Sequence, residues 1–358
     1  MHLLNVEFTT NSAVKTTQNI SFIVKSRLDN ELMSQIEEDF NVFHREAQAY
    51  TIILDEAMRL MRTIGEDIHF GPKAIYVDDR IIVQENLKLK DYYIGDVKKG
   101  FNFDQCSMIL EKLAKFHAVS MVLYKKNPDV FRHHLPGNVS ENPSPLHDLY
   151  KNAVLTCIEY CRNSPKLQQY VPNLSAFAEK IIPKMINVFS RNQADRFHVL
   201  NHGDMWVNNI MFHKTEAKED DLLFVDYQEG FFGSAGIDWN YFIFSSWQSD
   251  VFQLRLEDLL QVYHKNLANV LEKLHYEQRI PTLEDVKKEI INKGFHGLTT
   301  ATCLLPIMIN EHKHLADPLN FLLDTEEAKE NRRIVFDNPN FGKRLEPFLA
   351  FFTENSML

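Results

Sequence analysis

The stretch from Phe197 to Tyr227 constrains this chain more than any other. It holds three apolar runs, FHVL (197–200), NIMF (209–212) and LLFVD (222–226), each too short for a helix. Short apolar runs bounded by polar and turn residues read as strands. A charged turn, HKTEAKEDD (213–221), separates the last two and predicts a β-hairpin. Pairing NIMF with LLFVD brings Asn209 at the head of one strand close to Asp226 at the end of the other. A carboxylate and an amide oxygen facing one cavity are hard ligands suited to Mg²⁺. Asp204, in the loop HGDMWVNN (202–209), is then placed to meet a substrate hydroxyl. Phosphoryl transfer needs such parts: metal ligands, a carboxylate that orients the nucleophile and accepts its proton, and a cation on the nucleotide phosphates.

The cation is sought upstream. LNVEF (4–8) and NISFIVKS (19–26) alternate and predict an antiparallel hairpin across a polar turn. Ile20, Phe22 and Val24 share one face, and Lys25 lies on the other. A lone strand lysine is usually only solvated. Here a helical stripe follows, with Phe40, Phe43, Ala47, Tyr50 and Leu54 spaced by three and four. Glu46 falls beside that stripe, not on the solvent face. A Lys–Glu pair in this order fixes the lysine over nucleotide phosphates in kinase-type sites. Two more strands, KAIYVDD and RIIVQENL, complete a β-rich amino-terminal part with one long helix. Beyond Leu87 the pattern is mainly helical, with helices predicted over 106–126, 147–162 and 174–191 and breaks near Pro281 and Pro306.

Composition narrows the function classes. A net charge of −10 over 358 residues disfavours binding to nucleic-acid phosphates or to anionic membrane surfaces. No apolar run approaches the ~18 residues a membrane helix needs, and no leader is visible, so a cytoplasmic setting is expected. Four cysteines make no disulfide framework. Cys157 and Cys161 are read as buried thiols in preference to a metal pair. The Asn-x-Ser triplets at Asn19, Asn138 and Asn173 are read as chance. His202 is read as holding its own loop by hydrogen bonds, with a general-base role as the rival, and Asp238 in GIDWNYF as bonding loop amides, with a further metal ligand as the rival. Trp206 and Trp239 are read as packing in the core or between lobes, with lining of a substrate pocket as the rival, and His133–His134, in a loop rich in Pro and Gly, are expected to be exposed and inert.

These blocks carry a resemblance. LNHGDMWVNNIMF and FVDYQEGFFGSAGIDWNYF, with FIVKS, FHREAQAY, VQENL, YYIGDVKKGF and LAKFHAVS, resemble the insect ecdysteroid-kinase-like family, which is similar to choline kinases and aminoglycoside phosphotransferases. The likeness runs from about residue 4 to about residue 350. It implies an α+β, two-lobed protein-kinase-like fold, with an amino-terminal lobe over 1–87 and a helical lobe carrying the catalytic hairpin over 88–358. It implies ATP and Mg²⁺, and transfer of the γ-phosphate to a hydroxyl of an ecdysteroid or another hydroxylated lipophile. Asp204 matches the catalytic aspartate, Asn209 and Asp226 the metal ligands, and Lys25 and Glu46 the phosphate-positioning pair. Glu85 and Leu87, in VQENL, match the hinge that receives adenine through backbone groups. Asn86 stands where the family usually has aspartate. The family also has a first strand and a small-residue phosphate loop ahead of the strand that here reads LNVEF, and the resemblance implies that both are missing from this chain. A catalytically impaired binding module, or a truncated product, is the alternative that this departure leaves.

Overall fold

Alternation near the amino terminus becomes a hairpin of β1 (His2–Thr9) and β2 (Thr17–Ser26), antiparallel, with Val6 opposite Ile20 and His2 opposite Val24. The computed structural model describes residues 1–9, 17–27, 31–191, 195–216, 219–315 and 317–358, so the expected polar turn between these strands lies outside the described residues. Helix α1 (Glu31–Phe40) and helix α2 (Val42–Gln48) follow, then a π turn (Ala49–Ile53) and α3 (Leu54–Thr63). The expected single long helix is therefore broken. Asn41 takes a left-handed conformation (φ 55°), which asparagine tolerates better than most residues, and its side-chain amide bonds His133 Nδ1 at 2.8 Å. The apolar stripe survives the break, because Phe40, Phe43, Tyr50 and Leu54 are all buried.

Strands β3 (Ala74–Val77) and β4 (Ile81–Glu85) complete a sheet of order β1-β2-β4-β3. Lys25 on β2 meets Glu46 of helix α2. The Ile20, Phe22 and Val24 face is less sealed than its alternation suggests, since Ile20 is exposed and the other two are half-buried.

After a 3₁₀ turn at Leu87–Lys90 the chain forms β5 (Tyr92–Ile94), a strand too short to announce itself in sequence. The helical bulk follows as α4 (Phe103–Lys126), α5 (Pro145–Arg162), α6 (Val171–Glu179) and α7 (Ile181–Val188). The predicted helix over 174–191 is two helices that meet at Lys180. Strands β6 (His198–Asn201), β7 (Ile210–Lys214), β8 (Glu219–Phe224) and β9 (Phe231–Ser234) come next. β7 and β8 pair as the expected hairpin, with β5 on the other edge of β7, while β6 pairs with β9.

The remaining helices are α8 (Gly236–Ser246), α9 (Ser249–Lys273), α10 (Leu283–Asn292), α11 (Gly294–Thr299), α12 (Leu305–Met308), α13 (Leu319–Leu322), α14 (Glu326–Phe336) and α15 (Pro339–Glu354). Every residue of α8 is buried, which makes it the axis of the core. Pro281 precedes the Thr282 cap of α10 as expected. Near Pro306 the helical run changes to a π turn (Thr300–Leu304), resumes as α12 and ends at Met308. All four cysteines are free and buried. Among the described residues no helix is long and apolar enough to cross a membrane.

Candidate active site

Lys25 reaches from β2 into a cluster of oxygens. Its Nζ lies 2.6 Å from Glu46 Oε2 and 2.7 Å from Asp226 Oδ1, and it donates to Gln228 Oε1 at 2.9 Å. Burial alone would pull its pKa down. The two carboxylates outweigh that and push it up to about 12, so the ammonium stays charged. Glu46 is fully buried, and burial pushes its carboxyl up while Lys25 draws it back.

Asp226 ends the hairpin with a positive φ of 68°, and its N–H bonds the Tyr50 hydroxyl at 3.3 Å. The β7–β8 register sets Ile210 opposite Phe224, and Val225 N donates to Asn209 O at 3.0 Å. Asn209 therefore stands across from the residue before Asp226. Its Nδ2 donates to Asp204 O at 2.9 Å and Asp204 Oδ2 at 2.7 Å, which leaves its amide oxygen for a cation. Among the described residues no three His, Cys, Asp or Glu side chains form a metal cage. A two-residue oxygen set suits Mg²⁺, which keeps waters and takes phosphate oxygens as its other ligands.

Asp204 sits in the loop that follows β6, braced from behind. Asp238, wholly buried near the start of α8, accepts from His202 N at 2.7 Å and from Gly203 N at 2.8 Å. His117 Nε2 lies 3.1 Å from the same carboxylate. His202 Nε2 bonds Val225 O at 2.9 Å and so ties the loop to the hairpin; burial lowers its pKa and keeps it neutral. Gly203 has φ +85°, and a Cβ there would meet Glu229 O at 2.1 Å, so this position demands glycine. Burial raises the pKa of Asp204 to about 6, against hydrogen bonds from Tyr241, Asn209 and Trp206.

Asp204 opens onto a cavity of about 480 Å³, walled by apolar residues such as Leu146, Leu149, Ile307 and Met308, with Tyr150, Trp206 and Tyr241 among them. That volume lies within the range of drug-sized ligand sites. Gln228, which holds Lys25, lines it too, so the lysine cluster and the cavity adjoin. Trp206 packs against the core and also lines the cavity, and Trp239 is buried as expected.

At the hinge, Glu85 donates its N–H to Lys73 O at 3.1 Å, and its side chain takes Lys73 N and Lys90. Leu87 is buried. Asn86 donates to Ser21 Oγ at 3.1 Å, a bond in which an aspartate could only accept.

Several neighbours of the site carried no clear sequence signal. Arg45, next to Glu46, is buried and donates to His133 O at 2.9 Å, Pro136 O at 2.8 Å and Asn138 Oδ1. Asn138, one of the chance triplets, is buried in that network and donates to Glu229. The histidine pair is neither exposed nor idle: His133 bonds Asn41, and His134 is fully buried with its pKa pushed down to about 3 by burial.

Comparisons with known proteins meet this geometry. No curated protein matches the chain. Among solved structures, a choline kinase from Cryptosporidium parvum Iowa II is similar at 10% identity and a TM-score of 0.46, covering 99% of this chain and 91% of that one. A Plasmodium vivax ethanolamine kinase (11%, TM-score 0.40, 95% and 83% covered) and a putative aminoglycoside phosphotransferase from Ralstonia eutropha JMP134 (10%, TM-score 0.40, 95% and 93%) are similar at the same distant level. A sequence model of the Ecdysteroid kinase-like family matches residues 1–276, and the chain belongs to that family of small-molecule kinases.

Proposed function

We propose that this chain is an ATP-dependent kinase that transfers the γ-phosphate to a hydroxyl of an ecdysteroid or another hydroxylated lipophilic metabolite. The observation that carries the reading is the junction at Gln228. On one side stands a charged lysine held by two carboxylates, and on the other an apolar cavity with a carboxylate at its mouth. Lys25, steadied by Glu46, holds the α- and β-phosphates, and backbone groups at Glu85 and Leu87 receive the adenine. Asn209 and Asp226 hold Mg²⁺, which neutralises charge on the phosphate oxygens when bound. Asp204 orients the acceptor hydroxyl and takes its proton as the oxygen bonds to the γ-phosphorus, while the bond from that phosphorus to the β-phosphate oxygen breaks and ADP leaves. The hydrogen bonds from Tyr241, Trp206 and Asn209 aim that carboxylate. A cytoplasmic setting accords with the four free thiols.

The test has two arms. Calorimetry measures ATP binding with and without Mg²⁺, and a panel of hydroxylated steroids and plant metabolites is screened for ATP-dependent phosphorylation. Magnesium-dependent binding together with a phosphorylated product is expected. Neither binding nor product from any acceptor would remove the reading.

A further inference from the structure

The acceptor cavity holds a second carboxylate to which the phosphoryl-transfer reading gives no task. Glu229 follows Asp226 by three residues and lines the cavity with Asp204. It is packed against the residue before Asp204, since a Cβ on Gly203 would stand 3.0 Å from Glu229 Cβ. One half of its carboxylate is spoken for. Asn138 Nδ2 donates to Glu229 Oε2 and to Glu229 O, both at 2.9 Å. Asn138 is in turn held by the buried Arg45, whose other bonds go to the carbonyls of His133, Pro136 and Gly230. The other carboxylate oxygen, Oε1, makes no hydrogen bond to any described residue. A carboxylate fixed at one oxygen and open at the other is preorganised to accept one hydrogen.

The same wall carries a second polar group without a partner. His296 is 2% exposed, lies between Tyr241 and Phe189 (ring centroids 5.6 and 5.4 Å), and neither ring nitrogen is hydrogen-bonded. Buried polar atoms normally find partners, and those that do not find one in the protein call for another source.

We propose that Glu229 is a specificity-determining residue whose open carboxylate oxygen takes the hydrogen of a second, neighbouring hydroxyl on the acceptor. The inference rests on reading this cavity as the acceptor site. It names the ligand class as a neutral diol on an apolar framework, with a further oxygen within reach of His296. An amine is not called for: burial raises the Glu229 pKa to about 7 and the Arg45 guanidinium opposes that only in part, so the group carries less than a full charge at neutral pH, and the rest of the wall is largely apolar.

Three steroid probes on one skeleton test it: a vicinal diol, the matching mono-ol and the matching amino alcohol. Wild type is expected to favour the diol over the mono-ol in kcat/KM by roughly ten- to a hundredfold. Glu229→Leu should erase that ratio, mainly through a higher KM for the diol, with calorimetric MgATP affinity reporting that the fold is intact. Glu229→Gln, which preserves shape and an acceptor oxygen, should restore part of the ratio. An unchanged ratio in Glu229→Leu, or an equal loss on diol and mono-ol, overturns the role. Preference for the amino alcohol, lost in Glu229→Leu, overturns the neutral class. If wild type binds MgATP but phosphorylates none of the three, the reading of the cavity itself fails, and the inference with it.

Discussion

Asp238→Asn is the sharpest probe of how the catalytic loop is held. The substitution keeps volume and shape. It replaces two acceptor oxygens by one oxygen and one NH₂. In the native protein one oxygen takes His202 N at 2.7 Å with His117 Nε2 nearby, and the other takes Gly203 N at 2.8 Å. Whichever way the amide turns, an NH₂ group faces a backbone N–H. One charge-assisted bond of ~1.5–3 kcal/mol is lost, and a buried donor is stranded at ~1–3 kcal/mol. The sum is about 2.5–6 kcal/mol, a large part of the ~5–15 kcal/mol that holds a typical domain together. The stranded amide belongs to a residue within two of Asp204, so the acceptor-facing carboxylate shifts as well, and kcat should fall about 10²-fold. Urea unfolding followed by circular dichroism measures the first effect, provided the m-value is unchanged, and steady-state kinetics the second. A loss below about 1 kcal/mol would show that Asp238 does not carry the loop.

Asp204→Asn should lower kcat by roughly 10²–10⁴-fold while calorimetric MgATP affinity stays within about twofold, since the side chain meets the acceptor; retention of wild-type turnover would refute its role. Arg45→Met strands the carbonyls of His133, Pro136 and Gly230 and should cost about 3–5 kcal/mol in urea unfolding; a change under about 1 kcal/mol would mean that water replaces the guanidinium. His134, facing Arg45 and His133, has a folded pKa of about 3, below its ordinary 6.5. Its contribution is therefore complete above pH 6.5 and is lost as pH falls from there towards 3. Relative to His134→Leu, wild type should lose about 1.4 kcal/mol per pH unit below about 6.5. A stability gap that does not vary with pH would contradict a buried neutral ring.

What could be read from sequence is what repeats locally. The β7–β8 hairpin, the alternation of β1 and β2, and the stripe through Phe43 and Tyr50 each depend on spacing within one segment. β5 escaped because it is three residues long, β9 because only two of its four residues, Phe231 and Phe232, are large and apolar, and the partners of both lie far along the chain. The break at Asn41 escaped for a different reason: its side chain answers to His133, which no local pattern announces. The acceptor wall was the least legible part. Arg45, Asn138 and Glu229 are single polar residues from three segments, and only the fold makes them neighbours. His134 was misjudged by the same limit, since residue type sets a usual environment and tertiary contact decides the actual one.

Arg45 and Glu46 are consecutive, yet they serve opposite ends of the chemistry. One locks helix α2 to the wall of the cavity; the other holds the lysine on the nucleotide side. Two ligand sites that share one stiff lever are not independent. If filling the cavity moves α2, the affinity for nucleotide changes by some factor, and nucleotide must change acceptor affinity by that same factor. Titrating each ligand in the presence of the other then reads the stiffness of a single arginine anchor as a cooperativity constant.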